Sequence, residues 1–184
     1  MGKWKIRQST QVYDNPWISV VHHDVVNPSG QAGIYGKVHY KNLAVGVIPY
    51  DEKTGFLYLV RQHRFVLKAT SLEIPEGGSP IGNDPLNDAK RELKEETGIK
   101  ARRWEKLLEM HLSNSVSDEK AIVYLATGLT FGTPCPEDTE DLRVERMRWQ
   151  KAYELVLKGK ITDSMTVAAL LRFKILQMEK ELNG

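Results

Sequence analysis

Four carboxylates lie on one flank of a helix that the sequence predicts over Pro85–Thr97. At about 100° per residue they fall within an arc of roughly 100°; they are Asp88, Glu92, Glu95 and Glu96. Like charges four residues apart repel each other and cost an isolated helix a few tenths of a kcal/mol per pair. A hard divalent cation such as Mg²⁺ or Mn²⁺ takes oxygen ligands and would relieve that repulsion. The helix alone leaves two interpretations open, a solvated acidic face and a metal site.

The ends of this helix are marked by the residue types that helix termini favour. Asp84 can cap the first turn, Pro85 suits the first helical position and Gly98 can end the helix. A strip of apolar residues beside the carboxylates is expected to face the core; it consists of Leu86, Ala89 and Leu93. The core would then hold the helix in place and present the carboxylates at its edge.

The segment around the helix resembles the Nudix box, whose pattern is G-x5-E-x7-R-E-U-x-E-E-x-G-U with U aliphatic. The chain matches it at every fixed position but one, through Gly77, Arg91, Glu92, Leu93, Glu95, Glu96, Gly98 and Ile99. Asn83 stands where the first Glu of the pattern falls. The segments Arg61–Arg64, Glu73–Pro75 and Thr139–Asp141 are similar to the ADP-ribose and nucleotide-sugar pyrophosphatase branch. The resemblance extends from Tyr13 to the final helix.

This resemblance implies a metal-dependent hydrolase of a nucleoside diphosphate linked to another moiety. It implies that Glu92 and Glu96 are metal ligands, that Glu95 supports or shares the coordination as a catalytic residue, and that the carbonyl of Glu76 adds an oxygen. The expected ion is Mg²⁺ or Mn²⁺, because pyrophosphate repels an attacking water until cations neutralise its oxygens. In the family the glutamate replaced by Asn83 commonly braces the loop against the box arginine, so a looser loop is expected here.

The base that activates the water is implied to lie on an acidic loop downstream of the box. The segment Pro136–Asp141 occupies that place, and Glu140 aligns best with the acidic position expected to act on the metal-bound water, which also makes it a candidate metal ligand. Asp138 is the second candidate for the base. The alternative is that the loop is only a charged surface segment. Catalytic groups are often found on loops that a rigid scaffold positions.

Three further residues are candidates for binding the substrate. Arg64 could contact a phosphate, and Glu73 could orient Arg64 or bond a ribose hydroxyl. The alternative for both is an ion pair, including one with each other. Trp17 could stack on a nucleobase, although packing in the core or at an interface is the commoner role of a tryptophan.

The remaining elements predict an α+β protein built as an α/β/α sandwich with a mixed sheet. Strands are expected over Ile18–Val26, Tyr35–Lys41, Leu43–Tyr50, Phe56–Gln62, Trp104–Leu112 and Ala121–Ala126. Glu73–Gly78 is expected to be a loop, and helices are expected over Lys151–Lys158 and Ser164–Lys180. Two units are predicted, a β-rich N-terminal segment over residues 1–42 that supports dimerisation and a Nudix domain over residues 43–184.

Composition excludes several other classes of protein. The chain has 184 residues, of which 41% are hydrophobic, and its 26 Lys and Arg nearly balance its 24 Asp and Glu. A nucleic-acid binder usually carries a basic stripe, so no nucleic-acid partner is expected. Cys135 is the sole cysteine, which excludes an intrachain disulfide. No apolar run approaches the roughly 20 residues of a membrane span, and no signal sequence is evident, so we expect a cytoplasmic protein.

The predicted activity is hydrolysis of nucleoside diphosphate sugars such as ADP-ribose or GDP-mannose, to a nucleoside monophosphate and a sugar phosphate. The alternative enzyme is a pyrophosphohydrolase of nucleoside triphosphates or dinucleoside polyphosphates. A non-catalytic module that senses ADP-ribose is a third hypothesis, which the three retained box glutamates disfavour. The resemblance also implies a homodimer, since N-terminal strands in this branch often cross to a partner subunit.

Overall fold

The fold is described by a computed structural model that covers residues 3–135 and 141–183. Over these residues the strands are β1 (Lys5–Asp14), β2 (Ile18–Val26), β3 (Ala32–Tyr40), β4 (Asn42–Asp51), β5 (Phe56–Arg64), β6 (Ala69–Glu73), β7 (Glu76–Pro80), β8 (Ile99–His111), β9 (Lys120–Phe131) and β10 (Arg143–Arg148). The helices are α1 (Pro85–Thr97), α2 (Trp149–Leu157) and α3 (Ser164–Asn183). In this part of the chain no helix combines the length and the apolar character needed to cross a membrane.

The main sheet has seven strands and carries helices on both faces. Its strands are ordered β10-β5-β4-β9-β8, with β6 paired to β5 and β7 paired to β4. β4 and β9 run parallel, from Ala44 opposite Ala121 to Tyr50 opposite Thr127. The other neighbouring pairs are antiparallel. The sheet is therefore mixed, as the sequence predicts.

Alternate residues of β4 supply the two halves of the core, because successive side chains of a strand point to opposite faces. Val45 and Val47 pack with Leu93 of α1 on one face. Ile48 packs with Phe173 of α3 on the other face. All five side chains are fully buried. This arrangement is an α/β/α sandwich, which confirms the predicted fold class.

The N-terminal strands form a separate three-stranded antiparallel sheet in the order β1-β2-β3. The loop between β8 and β9 joins this sheet to the main domain, in part through the side chain of Asp118. One carboxylate oxygen of Asp118 lies 2.7 Å from Nζ of Lys37 and 2.8 Å from Nδ1 of His39. The other oxygen accepts a hydrogen bond from the backbone N–H of Tyr40 at 3.0 Å. The loop thereby holds the end of β3 against the Nudix-box half of the chain.

Four strands differ from the sequence prediction. β1, β6 and β10 were not expected, and part of the expected loop Glu73–Gly78 is the strand β7. β1 is exposed along its whole length, and four of the six residues of β10 are charged, so neither strand shows the apolar pattern of a buried strand. β7 ends at Pro80, where a proline removes no internal hydrogen bond of the ladder.

The spacing of apolar residues in Ser164–Lys180 predicts a stripe through Val167, Leu170, Leu171, Lys174 and Met178 that packs on the sheet, but the buried face of α3 differs from it. Leu170 is buried, but Leu171 and Met178 are 40% and 47% exposed. The helix instead packs on the sheet through Met165, Ala169, Leu170 and Phe173. The buried face of α3 therefore includes a small residue, Ala169, and an aromatic residue, Phe173, neither of which belongs to the predicted stripe.

Candidate active site

The carboxylate helix α1 is fixed at both ends and along its apolar strip. The side chain of Asp84 accepts a hydrogen bond from the backbone N–H of Leu86 at 3.1 Å, which caps the helix. Gly98 ends the helix with φ of +70°, and a Cβ at this position would lie 2.4 Å from the carbonyl oxygen of Gly132. Ala89 and Leu93 are fully buried. The predicted caps and strip are confirmed, and they set which flank of α1 faces β7.

β7 and α1 meet at a glycine that leaves room for a carboxylate. A Cβ on Gly77 would lie 2.2 Å from Cδ and Oε1 of Glu92, which is closer than real contacts allow. One residue earlier, the backbone N–H of Glu76 donates to Oε2 of Glu96 at 3.1 Å. The main chain of β7 therefore lies directly against the two glutamates that the resemblance makes metal ligands.

Arg91 joins the carboxylates of the helix to one another. Its Nη1 donates to Glu95 Oε2 at 2.7 Å, and its Nη2 donates to Glu92 Oε1 at 2.7 Å and to the carbonyl of Gly78 at 3.2 Å. Burial alone would lower the pKa of Arg91, but the charges of Glu92 and Glu95 hold it above its ordinary value. Arg91 thus relieves part of the repulsion that the sequence indicates, and it ties the helix to β7.

Asn83 contacts Asp88 rather than the box arginine. Its Nδ2 donates to Asp88 Oδ2 at 3.3 Å, and the hydroxyl of Ser79 donates to the same oxygen at 2.7 Å. Asp88 is only 14% exposed and lies 3.7 Å from Nε of Arg91. Asp88 therefore links the loop to the helix, the role that the glutamate replaced by Asn83 has in the family pattern.

Arg64 and Glu73 are partners of each other, the alternative that the sequence left open. Arg64 Nε lies 3.0 Å from both oxygens of Glu73, and its Nη2 donates to Glu73 Oε2 at 2.6 Å and to Glu76 Oε1 at 2.7 Å. Gln62 adds a hydrogen bond to Glu73 at 3.0 Å. A phosphate contact by Arg64 stays a prediction, and it would have to be made beside these two carboxylates.

Asp163 also belongs to this cluster, which no motif or spacing in the sequence indicates. Oxygen atoms of Glu73, Glu76 and Asp163 all lie within 4.8 Å of one another. Asp163 directly precedes α3, and its Oδ2 accepts a hydrogen bond from the backbone N–H of Thr166 at 2.7 Å. From the sequence alone, an aspartate at this position indicates a helix cap and no role in a site. Burial, followed by the charges of Asp163 and Glu73, raises the pKa of Glu76 well above its ordinary value.

Two cavities adjoin Gly77. The large cavity, about 890 Å³, extends past Arg64, Glu73, Glu76 and Asp163. The small cavity, about 220 Å³, is lined by Trp17, Tyr40, Asn42, Leu43, Gly78 and other residues. Ala44, Gly77 and Glu119 line both. Trp17 is 66% exposed, so packing in the core of this chain is excluded for it, while stacking on a base and packing at a subunit interface stay open.

The sequence matches two family models that together span most of the chain. Residues 40–170 match the NUDIX domain, and residues 4–38 match the nucleoside diphosphate sugar hydrolase N-terminal domain. The chain belongs to the Nudix family. It is a Nudix hydrolase, and the N-terminal match places it with the hydrolases of nucleoside diphosphate sugars.

Individual relatives of this Nudix hydrolase agree with the family assignment. The ADP-ribose pyrophosphatase of Bacillus subtilis (strain 168) is 34% identical over 137 residues, 74% of this chain and 73% of the relative. The methanol dehydrogenase activator of Bacillus methanolicus is 32% identical over 71% of each chain. A crystal structure of an ADP compounds hydrolase, 20% identical, superposes with a TM-score of 0.87 over 98% of this chain and 97% of its own. That structure shares the fold.

Nudix hydrolases generally use divalent metals, and the residues beside Gly77 suit one. The carboxylates of Glu92 and Glu96 are hard oxygen donors of the kind that Mg²⁺ and Mn²⁺ prefer. The hydrogen bond from Glu76 N–H to Glu96 brings the main chain of β7 next to them, as a carbonyl ligand from Glu76 requires. Glu95 is engaged by Arg91, which fits a supporting role better than a direct one.

The two candidates for the general base of this Nudix hydrolase, Glu140 and Asp138, lie outside the described residues. The preceding residue that is described, Cys135, donates its backbone N–H to the carbonyl of Glu95 at 2.8 Å. The last described residue before the two candidates therefore lies beside α1. Both assignments stay predictions.

Proposed function

We propose that this Nudix hydrolase cleaves the pyrophosphate bond of nucleoside diphosphate sugars such as ADP-ribose or GDP-mannose, with Mg²⁺ or Mn²⁺ as its ion. The products are a nucleoside monophosphate and a sugar phosphate. The observation that carries this proposal is the meeting of the two cavities at Gly77, directly beside Glu92. A nucleotide sugar has two bulky ends joined by a diphosphate, and this layout offers one space to each end with carboxylates between them.

The small cavity suits the nucleobase because it contains the exposed indole of Trp17, on which a base can stack. The large cavity suits the sugar because carboxylate oxygens accept hydrogen bonds from hydroxyls. Glu92 and Glu96 would hold the divalent ion beside the diphosphate, with the Glu76 carbonyl as a third ligand. That ion supplies charge neutralisation and an acidified water. Glu140, or else Asp138, would accept the proton of that water.

We further propose that the enzyme is a homodimer and that it acts in the cytoplasm. The support for the dimer is the apolar surface of the N-terminal sheet, where large side chains such as Ile6 and Ile34 are more than half exposed. The support for the cytoplasm is the single cysteine, since disulfide-rich chains are typical of oxidising compartments.

A product assay tests the proposed activity. Purified enzyme with Mg²⁺ is incubated with ADP-ribose, GDP-mannose, other nucleotide sugars, nucleoside triphosphates and dinucleoside polyphosphates, and the products are separated by ion-exchange chromatography. We expect a monophosphate and a sugar phosphate in equal amounts from at least one nucleotide sugar, with the highest kcat/KM in this class. A higher kcat/KM on triphosphates or dinucleoside polyphosphates would favour the alternative enzyme. Tight binding of ADP-ribose without turnover would favour the sensor.

A further inference from the structure

A third cavity, which we call the basic cavity, lies between α1 and β8. It measures about 480 Å³, within the roughly 300–1,000 Å³ that is usual for ligand sites. The charged side chains that line it are Lys90, Arg91, Lys94, Glu95 and Lys100. No residue of β7 lines it, and neither do the expected metal ligands Glu92 and Glu96. The basic cavity is therefore separate from the proposed catalytic site.

The lysines of the basic cavity carry an excess of positive charge. Lys90, Lys94 and Lys100 form no ion pair with any residue that the structure describes. The carboxylate of Glu95 does not offset them, because it is engaged by Nη1 of Arg91 at 2.7 Å. Lys90 and Lys94 are one turn apart on α1 and repel each other. A multiply charged anion in the cavity would relieve this repulsion.

The end of the helix explains one of these lysines and not the others. Lys94 lies in the last turn of α1, where a cation offsets the partial negative charge of the helix terminus. Lys90 lies a turn earlier, and Lys100 belongs to β8. Residues of two different elements thus bring positive charge to one cavity.

An aromatic ring also lines the basic cavity. Trp104 is half-buried, and its Nε1 donates to the carbonyl of Ala101 at 3.1 Å. Its ring packs edge-on against Tyr124 with centroids 6.4 Å apart. These two contacts fix the orientation of the indole while part of it faces the cavity. An indole is a surface on which a nucleobase can stack.

We propose that the basic cavity binds a nucleoside polyphosphate as a second ligand of the enzyme, with its phosphates on Lys90, Lys94 and Lys100 and its base on Trp104. Ammonium groups form charge-assisted hydrogen bonds with phosphate oxygens. A chain of two or three phosphates offers each lysine its own oxygens, whereas a single phosphate would have to serve all three. The proposal does not depend on the proposed activity, because none of these four residues belongs to the catalytic site.

Calorimetry with ATP in excess EDTA tests the proposal. Without a divalent ion the carboxylates beside Gly77 repel a polyphosphate, so the basic cavity is the favoured site. We expect one ATP per chain, and we expect inorganic tripolyphosphate, which lacks the base, to bind about tenfold or more weakly than ATP. Lys90→Gln/Lys94→Gln/Lys100→Gln should weaken the affinity for ATP by about tenfold or more, because three charged contacts are lost.

A matched variant controls for the change in net charge. Lys53→Gln/Lys151→Gln/Lys160→Gln removes three exposed lysines that line none of the three cavities. It should leave the affinity for ATP within about twofold of wild type in about 0.15 M salt, where distant charges are screened. Trp17→Leu should also leave the affinity unchanged, because Trp17 lies at the small cavity beside Gly77.

Three results would overturn the proposal. Binding that is lost in Trp17→Leu and kept in the lysine variant would place ATP at the catalytic site. Equal affinities for ATP and tripolyphosphate would mean that the lysines attract any polyanion and that no base is bound. The absence of ATP binding at millimolar concentration would contradict the site altogether. None of these measurements requires turnover, so they stand even if nucleotide sugars are not hydrolysed.

Discussion

At the scale of single residues, Arg91 explains how four carboxylates can share one flank of α1. It bonds Glu92 and Glu95 directly and lies 3.7 Å from Asp88. Each exposed ion pair contributes roughly 0–1 kcal/mol, so the arginine offsets part of the repulsion and fixes the orientation of the side chains. The remaining negative charge is what a divalent ion would neutralise.

The assignment of the base predicts different effects for two kinds of glutamate substitution. Glu140→Gln keeps the shape of the side chain and removes its charge, so kcat should fall by about 10²–10⁴-fold, the usual size of a general-base contribution, while KM changes little. Glu96→Gln should lower the affinity for Mg²⁺ as well as the rate, because it removes a ligand from the helix. Steady-state kinetics over a series of Mg²⁺ concentrations separates the two effects.

Asp138→Asn belongs in the same experiment because Asp138 is the second candidate. If Glu140→Gln retains more than about a tenth of the activity while Asp138→Asn abolishes it, the base is Asp138. Glu105→Gln, at an exposed position of β8, is the control for the loss of a surface carboxylate.

Asn83→Glu restores the glutamate of the box pattern and should have only a small effect. The new carboxylate would lose the hydrogen bond to Asp88 and be repelled by it, but would be attracted to Arg91, which lies 3.7 Å from Asp88. Because these effects oppose each other, the free energy of unfolding should change by no more than about 1 kcal/mol. We expect kcat within a few-fold of wild type, because Asp88 already links the loop to the helix. Urea denaturation and steady-state kinetics measure both quantities. A rise in kcat of a hundredfold or more would show that Asn83 occupies an impaired catalytic position.

At the scale of elements, the contact between β7 and α1 decides whether the site is assembled. At the two expected metal ligands, the elements touch through Gly77 and Glu92 and through the hydrogen bond from Glu76 N–H to Glu96. Neither of these two contacts depends on a side chain of β7. Metal binding therefore requires that β7 is correctly positioned against α1.

Gly77→Ala tests this contact. The added methyl would overlap the carboxylate of Glu92, so either the strand or the glutamate must move. We expect the affinity for Mn²⁺, measured by electron paramagnetic resonance, and kcat/KM to fall by about tenfold or more, with a stability loss of about 1–3 kcal/mol. Gly33→Ala is the matched control, because a Cβ there meets nothing within 4 Å. Unchanged metal affinity in Gly77→Ala would mean that the position of Glu92 is not critical.

The sequence predicted those features of the site that depend on local spacing. The caps of α1, its buried strip and the box glutamates could be identified because they lie within one turn or one motif. The pair of Arg64 and Glu73 was one of two alternatives, but the addition of Glu76 and Asp163 could not be predicted, since the cluster joins β5, β6, β7 and the start of α3. The edge strand β10 escaped prediction because its residues are charged, and the face of α3 because small residues pack there.

At the scale of the whole molecule, the N-terminal sheet exposes an unusual amount of apolar surface. Six large apolar side chains in or beside this sheet are more than half exposed; they are Trp4 before β1, Trp17 between β1 and β2, and Ile6, Val12, Tyr13 and Ile34 in the strands. Exposed apolar patches of this extent mark interaction surfaces, and an exposed edge strand invites pairing with another chain. A second copy of the chain would cover the patch and bring a partner surface close to Trp17.

We therefore predict a homodimer in solution. Light scattering at micromolar concentration should give twice the mass of the chain, and deletion of residues 1–30 should leave a protein that is monomeric or insoluble. The physical reason is the loss of the apolar sheet that the partner would cover. A monomer of the full-length chain at the same concentration would contradict this account of the N-terminal sheet.

The central claim is that carboxylates gathered beside Gly77 hold a divalent ion that makes pyrophosphate hydrolysis possible. Its most direct test is the hydrolysis of ADP-ribose by the purified enzyme before and after rigorous chelation, with AMP and ribose phosphate both quantified. We predict no turnover in excess EDTA and full recovery of both products on addition of Mg²⁺ or Mn²⁺. Undiminished hydrolysis in the chelated enzyme would contradict the claim.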